Sequence, residues 1–216
     1  MEDPLAAALE MFNRKERNLL IRDILGGADR IPPLSLGFYK RLAKALGIPE
    51  ESLKSAWWAT DFHFDWLAGG LLTFVKGNTL SRQVNEPKLV HGNQQDLDVI
   101  IAARDPAPTA EAPHHLILME AKAYSYFTTE QHRSKVARFD QLYDFYEGLE
   151  KDSKHKICFH YVLCSTKELP VGAAKPEHID LVHLKIELPK LSDRLKVTRC
   201  DDTDKSNKEG AWWRCI

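Results

Sequence analysis

Cysteine is scarce and unpatterned in this 216-residue chain. Cys158, Cys164, Cys200 and Cys215 show no CxxC spacing, which argues against a zinc ribbon and a redox dithiol motif. Reduced thiols in a cytoplasmic protein are the simplest reading. No stretch approaches about 18 consecutive apolar residues, so no segment is expected to span a membrane. The opening residues, MEDPLAAALEMF, lack the basic start and long apolar run of a signal peptide. An excess of one charge is missing too. A net charge of -1 supplies no bulk attraction to nucleic acid, so any such binding must come from a local basic face. Phosphate-cradling glycine loops, dinucleotide fingerprints and nucleophile elbows are absent. Nine histidines recur at no zinc-like spacing. With 44% hydrophobic and 28% charged residues, the composition is that of an ordinary globular protein. Its length fits one large domain, or one domain with a helical extension.

The first third reads as helical. Leu5, Leu9, Phe12, Leu19 and Leu20 follow a 3.6-residue period that ends at Gly26-Gly27. A second helix is expected over about 35 to 46, ending at Gly47. A third is expected to start near Pro49 and carry AWWATDFHFDWLAGGLL, where Trp58, Phe62 and Trp66 recur every four residues. On such a helix Asp61, His63 and Asp65 spread around the axis and make no metal site. After about residue 78 the pattern changes. DVIIAA (98–103) and HLILMEA (115–121) are short apolar runs typical of buried strands, separated by the proline-rich loop RDPAPTAEAP. A helix follows at about 129–150, with Val136, Phe139, Tyr143 and Tyr146 on one face. KICFHYVLC (156–164) and IDLVHLKI (179–186) read as further strands. RLKVTRC and AWWRCI bracket a polar loop as a terminal hairpin. The expected fold class is α/β with a mixed sheet. Residues 1–78 form a helical region packing on the core, 79–190 the core, and 191–216 the terminal strands.

Within LILMEAKAYSY a buried strand ends in Glu120-Ala121-Lys122. An E-x-K tripeptide is expected roughly once by chance in a chain of this length, and Glu86-Pro87-Lys88 is a second copy. That copy has a central proline and no apolar run before it, so only Glu120 and Lys122 sit well in a sheet. If the two strands form an antiparallel hairpin about Thr109, Asp98 lies opposite Glu120 and Asp96 opposite Lys122. Directly opposed residues share a sheet face, so the four charges gather at one edge. Neighbouring carboxylates on a half-buried surface repel and require a cation. An all-oxygen ligand set suits Mg²⁺ or Mn²⁺, and Lys122 is placed to balance charge on a phosphate. The alternative is a structural salt bridge of Lys122 with Asp96 or Glu120.

Two further groups bear on this edge. Glu16 falls within the apolar stripe of the first helix, and a carboxylate on an inward face needs a partner. The alternative is an ion pair within its own helix. The flanking Arg14, Lys15 and Arg17 suit a phosphate backbone. On the later helix Gln131, Lys135 and Arg138 lie together beside the apolar stripe, where they could reach a substrate, or simply form a solvated face.

Asp98, Glu120-x-Lys122, an acid on a preceding helix and the following α-β unit together resemble the PD-(D/E)XK nuclease superfamily. FNRKER, QQDLDVIIA, LMEAKA and EQHRSKVARFDQL look like the corresponding phrases of uncharacterised bacterial members. The resemblance covers about half the chain. It implies a restriction-endonuclease-like core, a mixed sheet of αβββαβ order, with the first strand sought within 72–90. It further implies metal ligation by Asp98, Glu120 and the carbonyl of Ala121, supplemented by Glu16, with Lys122 as the catalytic lysine. The expected activity is Mg²⁺- or Mn²⁺-dependent hydrolysis of phosphodiester bonds, by an endonuclease or an exonuclease. DNA is the expected substrate, with RNA, and a homodimeric state, left open. The alternative is an inactive nucleic-acid- or protein-binding module on the same fold.

Overall fold

The computed structural model describes residues 3–27, 31–77, 82–85, 88–92, 95–106, 114–122, 129–150, 156–169, 174–187 and 196–215. The chain divides into two compact units, Met1–Ile186 and Glu187–Ile216.

The larger unit is mixed α/β, with six helices and a five-stranded mixed sheet among the described residues. The sheet order is β1 (Trp57–His63), β2 (Asp96–Arg104), β3 (His114–Lys122), β4 (Ile157–Ser165) and β5 (Asp180–Lys185). β1, β2 and β3 run antiparallel in turn, whereas β3, β4 and β5 are mutually parallel. A parallel neighbour requires a crossover, and α6 (Thr129–Glu150) supplies it between β3 and β4.

Helices cover both faces. Against one pack α1 (Pro4–Glu10), α5 (Phe64–Lys76) and α6, whose Leu5, Leu9, Leu67, Leu71, Phe139 and Tyr146 bury with Ile100, Leu118 and Tyr161. Against the other pack α3 (Leu36–Leu46) and α4 (Glu50–Lys54), through Leu42, Ala43 and Leu53 onto Ile101, Ile117 and Val162. The three inner strands β2, β3 and β4 are therefore buried on both sides, which explains their apolar runs. The α1–α5 approach is close at Gly70. A Cβ at Gly70 would come within 2.6 Å of Leu9 Cδ2. Ser35 and Gly47 bound α3 as expected, the serine accepting from Phe38 N and the glycine adopting φ 68°.

Two expectations fail in the first third. The helix through residue 26 is broken, since α1 ends at Glu10 and α2 (Glu16–Gly26) begins after a turn at Met11 and Phe12. α2 buries Asn18 and Arg22 while Leu19 and Leu20 are exposed. Polar partners outweigh the apolar period there: Arg22 pairs with Glu10, and Asn18 Oδ1 accepts from Thr60 N at 3.0 Å. Nor is AWWATDFHFDW helical. Trp57 and Ala59 alternate into the core as β1, and α5 begins only where the His63 side chain accepts from Asp65 N. This strand, not one within 72–90, is the first of the sheet. The four-residue recurrence of aromatics arose from a strand followed directly by a helix.

The smaller unit contains the expected terminal hairpin, β6 (Val197–Cys200) paired antiparallel with β7 (Trp212–Cys215). Gly210 is required here, because a Cβ would lie 2.0 Å from the Cys200 carbonyl oxygen.

Candidate active site

The β2–β3 ladder pairs Val99 with Met119 and Ile100 with Leu118, the register expected from the sequence. Continued by one pair, it sets Asp98 opposite Glu120. Alternation places both on the face covered by α5 and α6, together with Ile100 and Leu118. Asp98 Oδ2 accepts from Ala121 N at 2.7 Å, closing the hairpin where regular pairing stops. Glu120 is buried at 4% exposure.

This carboxyl is poorly placed to carry a charge. Burial, with the Asp98 charge adding to it, pushes Glu120 up from 4.5 to about 7, while Lys135 and Lys122 limit the rise. Lys135 Nζ reaches down from α6, donating to Glu120 Oε1 at 2.5 Å and to the Asp96 carbonyl at 2.9 Å. Asp96 Oδ2 accepts from Lys15 Nζ at 2.6 Å. Lys122 makes no ion pair with Asp96 or Glu120 among the described residues, so the alternative salt bridge is not the one formed. On the same face of β4 Tyr161 is fully buried, its hydroxyl 3.1 Å from His132 Nδ1. Burial and the charges of Glu120 and Asp98 push the phenol further into its neutral form.

The other expected residues differ in burial and in partners. Glu16 is exposed in the first turn of α2. The inward stripe that would have carried it does not exist once the helix breaks. Arg14 and Arg17 are exposed and Lys15 is half-buried. Lys15 and Arg17 each hold an acid of the sheet edge, Arg17 donating to Asp61 at 2.8 Å with most of its side chain still open to solvent. Arg138 is buried. Its guanidinium donates to Asp65 Oδ1 at 2.7 Å and to Gln95 Oε1 at 3.0 Å, while Asp65 also accepts from His91 N and Gly92 N. Arg138 is thus a clamp on the segment leading into β2, because a buried guanidinium needs its full set of acceptors. The Gln131 side chain, and Glu86 and Pro87 of the second E-x-K copy, lie outside the described residues.

Two features of this edge were missed from the sequence. Asp61 sits between the pairs Thr60–Val99 and Phe62–Leu97, level with Asp98 on the neighbouring strand, at φ 52°. Reading TDFHFD as a strand would have found it. The Lys135–Glu120 pair had no comparable local signal.

The donors suit a hard divalent cation. All are oxygens, two are carboxylates on adjacent strands, and Asp96 Oδ1 is buried without a hydrogen-bond partner among the described residues. Among those residues no three His, Cys, Asp or Glu side chains group as a metal site. Two carboxylates, a carbonyl and water are therefore what the edge offers. Comparison with protein-family models, curated proteins and solved structures returned no match.

Proposed function

We propose that the chain is a metal-dependent phosphodiesterase acting on DNA, built on a restriction-endonuclease-like core of the PD-(D/E)XK type. One observation carries the reading. Asp98 and Glu120 meet on one sheet face with Lys122 two residues on, and Glu120 is buried where it cannot comfortably hold its charge. A site that only needed a salt bridge would not crowd two acids there. The sheet order supports it as well: three antiparallel strands, then a helix and a parallel strand.

Asp98, Glu120 and the Ala121 carbonyl are the groups that would hold Mg²⁺ or Mn²⁺. Such an ion supplies a Lewis acid and lowers the pKa of a coordinated water. Lys122, half-buried beside Glu120, balances charge developing on the phosphate. Glu16, exposed on α2, is left out of this set.

The second reading is a binding module without catalysis. It is favoured by the lysines already seated on Glu120 and Asp96, which satisfy the acids internally. A cleavage assay over single- and double-stranded DNA and RNA, with Mg²⁺ or Mn²⁺, separates the two. The nuclease cuts, and Lys122→Ala or Glu120→Gln slows it on the order of 100-fold or more. Folded protein that cuts nothing, and whose nucleic-acid binding ignores both Lys122→Ala and chelation, is the binding module.

A further inference from the structure

Two ammonium groups from distant segments converge on the carboxylate edge. Lys135 of α6 donates to Glu120 Oε1 and to the Asp96 carbonyl, and Lys15 donates to Asp96 Oδ2. Arg138, one turn further along the same helix, makes an instructive contrast. Its planar fork is locked by Asp65, Gln95 and the Leu89 carbonyl, at 5% side-chain exposure. Lys135 has two acceptors among the described residues, a flexible four-carbon stem and 17% of its side chain open to solvent. It is anchored yet able to leave.

A carboxylate oxygen occupied by an ammonium presents less of its charge to a second cation, and two cations on one carboxylate repel. We infer that Lys135 is an exchangeable stand-in for the divalent ion, holding Glu120 until the ion binds and then swinging off it toward the bound phosphate. Lys135 then belongs to the site as a positioning residue for Glu120, with a second role as a phosphate contact. The exchange also accounts for an acid pair persisting in the ion-free protein. One of its members is neutralised from the helix above. The inference rests on the reading of Asp98 and Glu120 as cation ligands.

The test is direct Mn²⁺ binding, followed by the electron paramagnetic resonance of the free ion, without DNA. Wild type is compared with Lys135→Met and Lys135→Arg. If Lys135 competes with the ion, Lys135→Met binds Mn²⁺ about tenfold more tightly, the factor expected for removing one charge-assisted hydrogen bond. Lys135→Arg retains a competing cation and stays near wild type. A purely structural ion pair would leave the affinity unchanged or lower it, and either result in folded Lys135→Met overturns the exchange. Should Lys135→Met not fold, amine acetylation of the wild-type protein, read by mass spectrometry, decides. Saturating Mn²⁺ should raise labelling at Lys135, and unchanged labelling overturns the exchange. If wild type and both variants bind no Mn²⁺ at all, the cation site itself is lost. If wild type binds Mn²⁺ and cuts DNA while Lys135→Met binds no tighter, only the exchange is lost.

Discussion

Glu120→Gln in the metal-free protein offers a quantitative test of the site's electrostatics. Burial and Asp98 hold the folded-state carboxyl at about 7, against 4.5 when unfolded. Because the folded value is raised, the stability it confers is fully present below about pH 4.5. That stability is lost progressively as pH rises toward 7. The span from 4.5 to about 7, at about 1.36 kcal/mol per pH unit, amounts to about 3 kcal/mol. Wild type alone would hide this. Burial and His115 push His160 down from 6.5 to about 4, so its contribution runs the other way, present above pH 6.5 and lost as pH falls to 4. His160 is common to both proteins and drops out of their difference. Urea unfolding in EDTA at pH 4, 5, 6, 7 and 8 should therefore show wild type losing about 3 kcal/mol relative to Glu120→Gln. The loss should be confined to the interval between about pH 4.5 and 7. A difference that stays flat across that interval, or moves the other way, would refute the assignment of Glu120 as a strained buried acid. The absolute effect of the substitution is less informative, since it also weakens the Lys135 contact.

Two further outcomes test the neighbouring networks. Arg138→Met should destabilise the protein by about 2 to 3 kcal/mol, because it removes a buried guanidinium and leaves half-buried Asp65 with only its His91 and Gly92 backbone donors. A loss under about 1 kcal/mol in denaturant unfolding would return Arg138 to the surface role expected from its helix face. His160→Gln should flatten the acid limb of stability between pH 6.5 and 4, since His160 is held neutral by burial beside His115. Thermal melts showing the same acid limb in wild type and variant would assign that limb to other groups.

The central hairpin could be read from the chain because its determinants are local. Two apolar runs flank one proline-rich loop, and centring the hairpin on that loop gives the observed register, which brings Asp98 level with Glu120. The same locality made α3, α6 and the terminal hairpin legible, through caps, periodicity and turn residues. Where local signals were ambiguous, tertiary partners decided. The apolar period of residues 5–20 suits one long helix, yet Glu10 with Arg22 and Asn18 with Thr60 favour two helices and expose Leu19 and Leu20. Trp57–His63 could be helix or strand, and the vacant edge of β2 made it a strand. Which lysine meets which acid was likewise beyond reach. Lys15 finds Asp96 across 81 residues, and Lys135 finds Glu120 only because α6 crosses back over the sheet. Backbone hydrogen bonds and side-chain periodicity act over a few residues and are written in the sequence directly. Charge pairing acts through space, so it emerged only once the layers had packed.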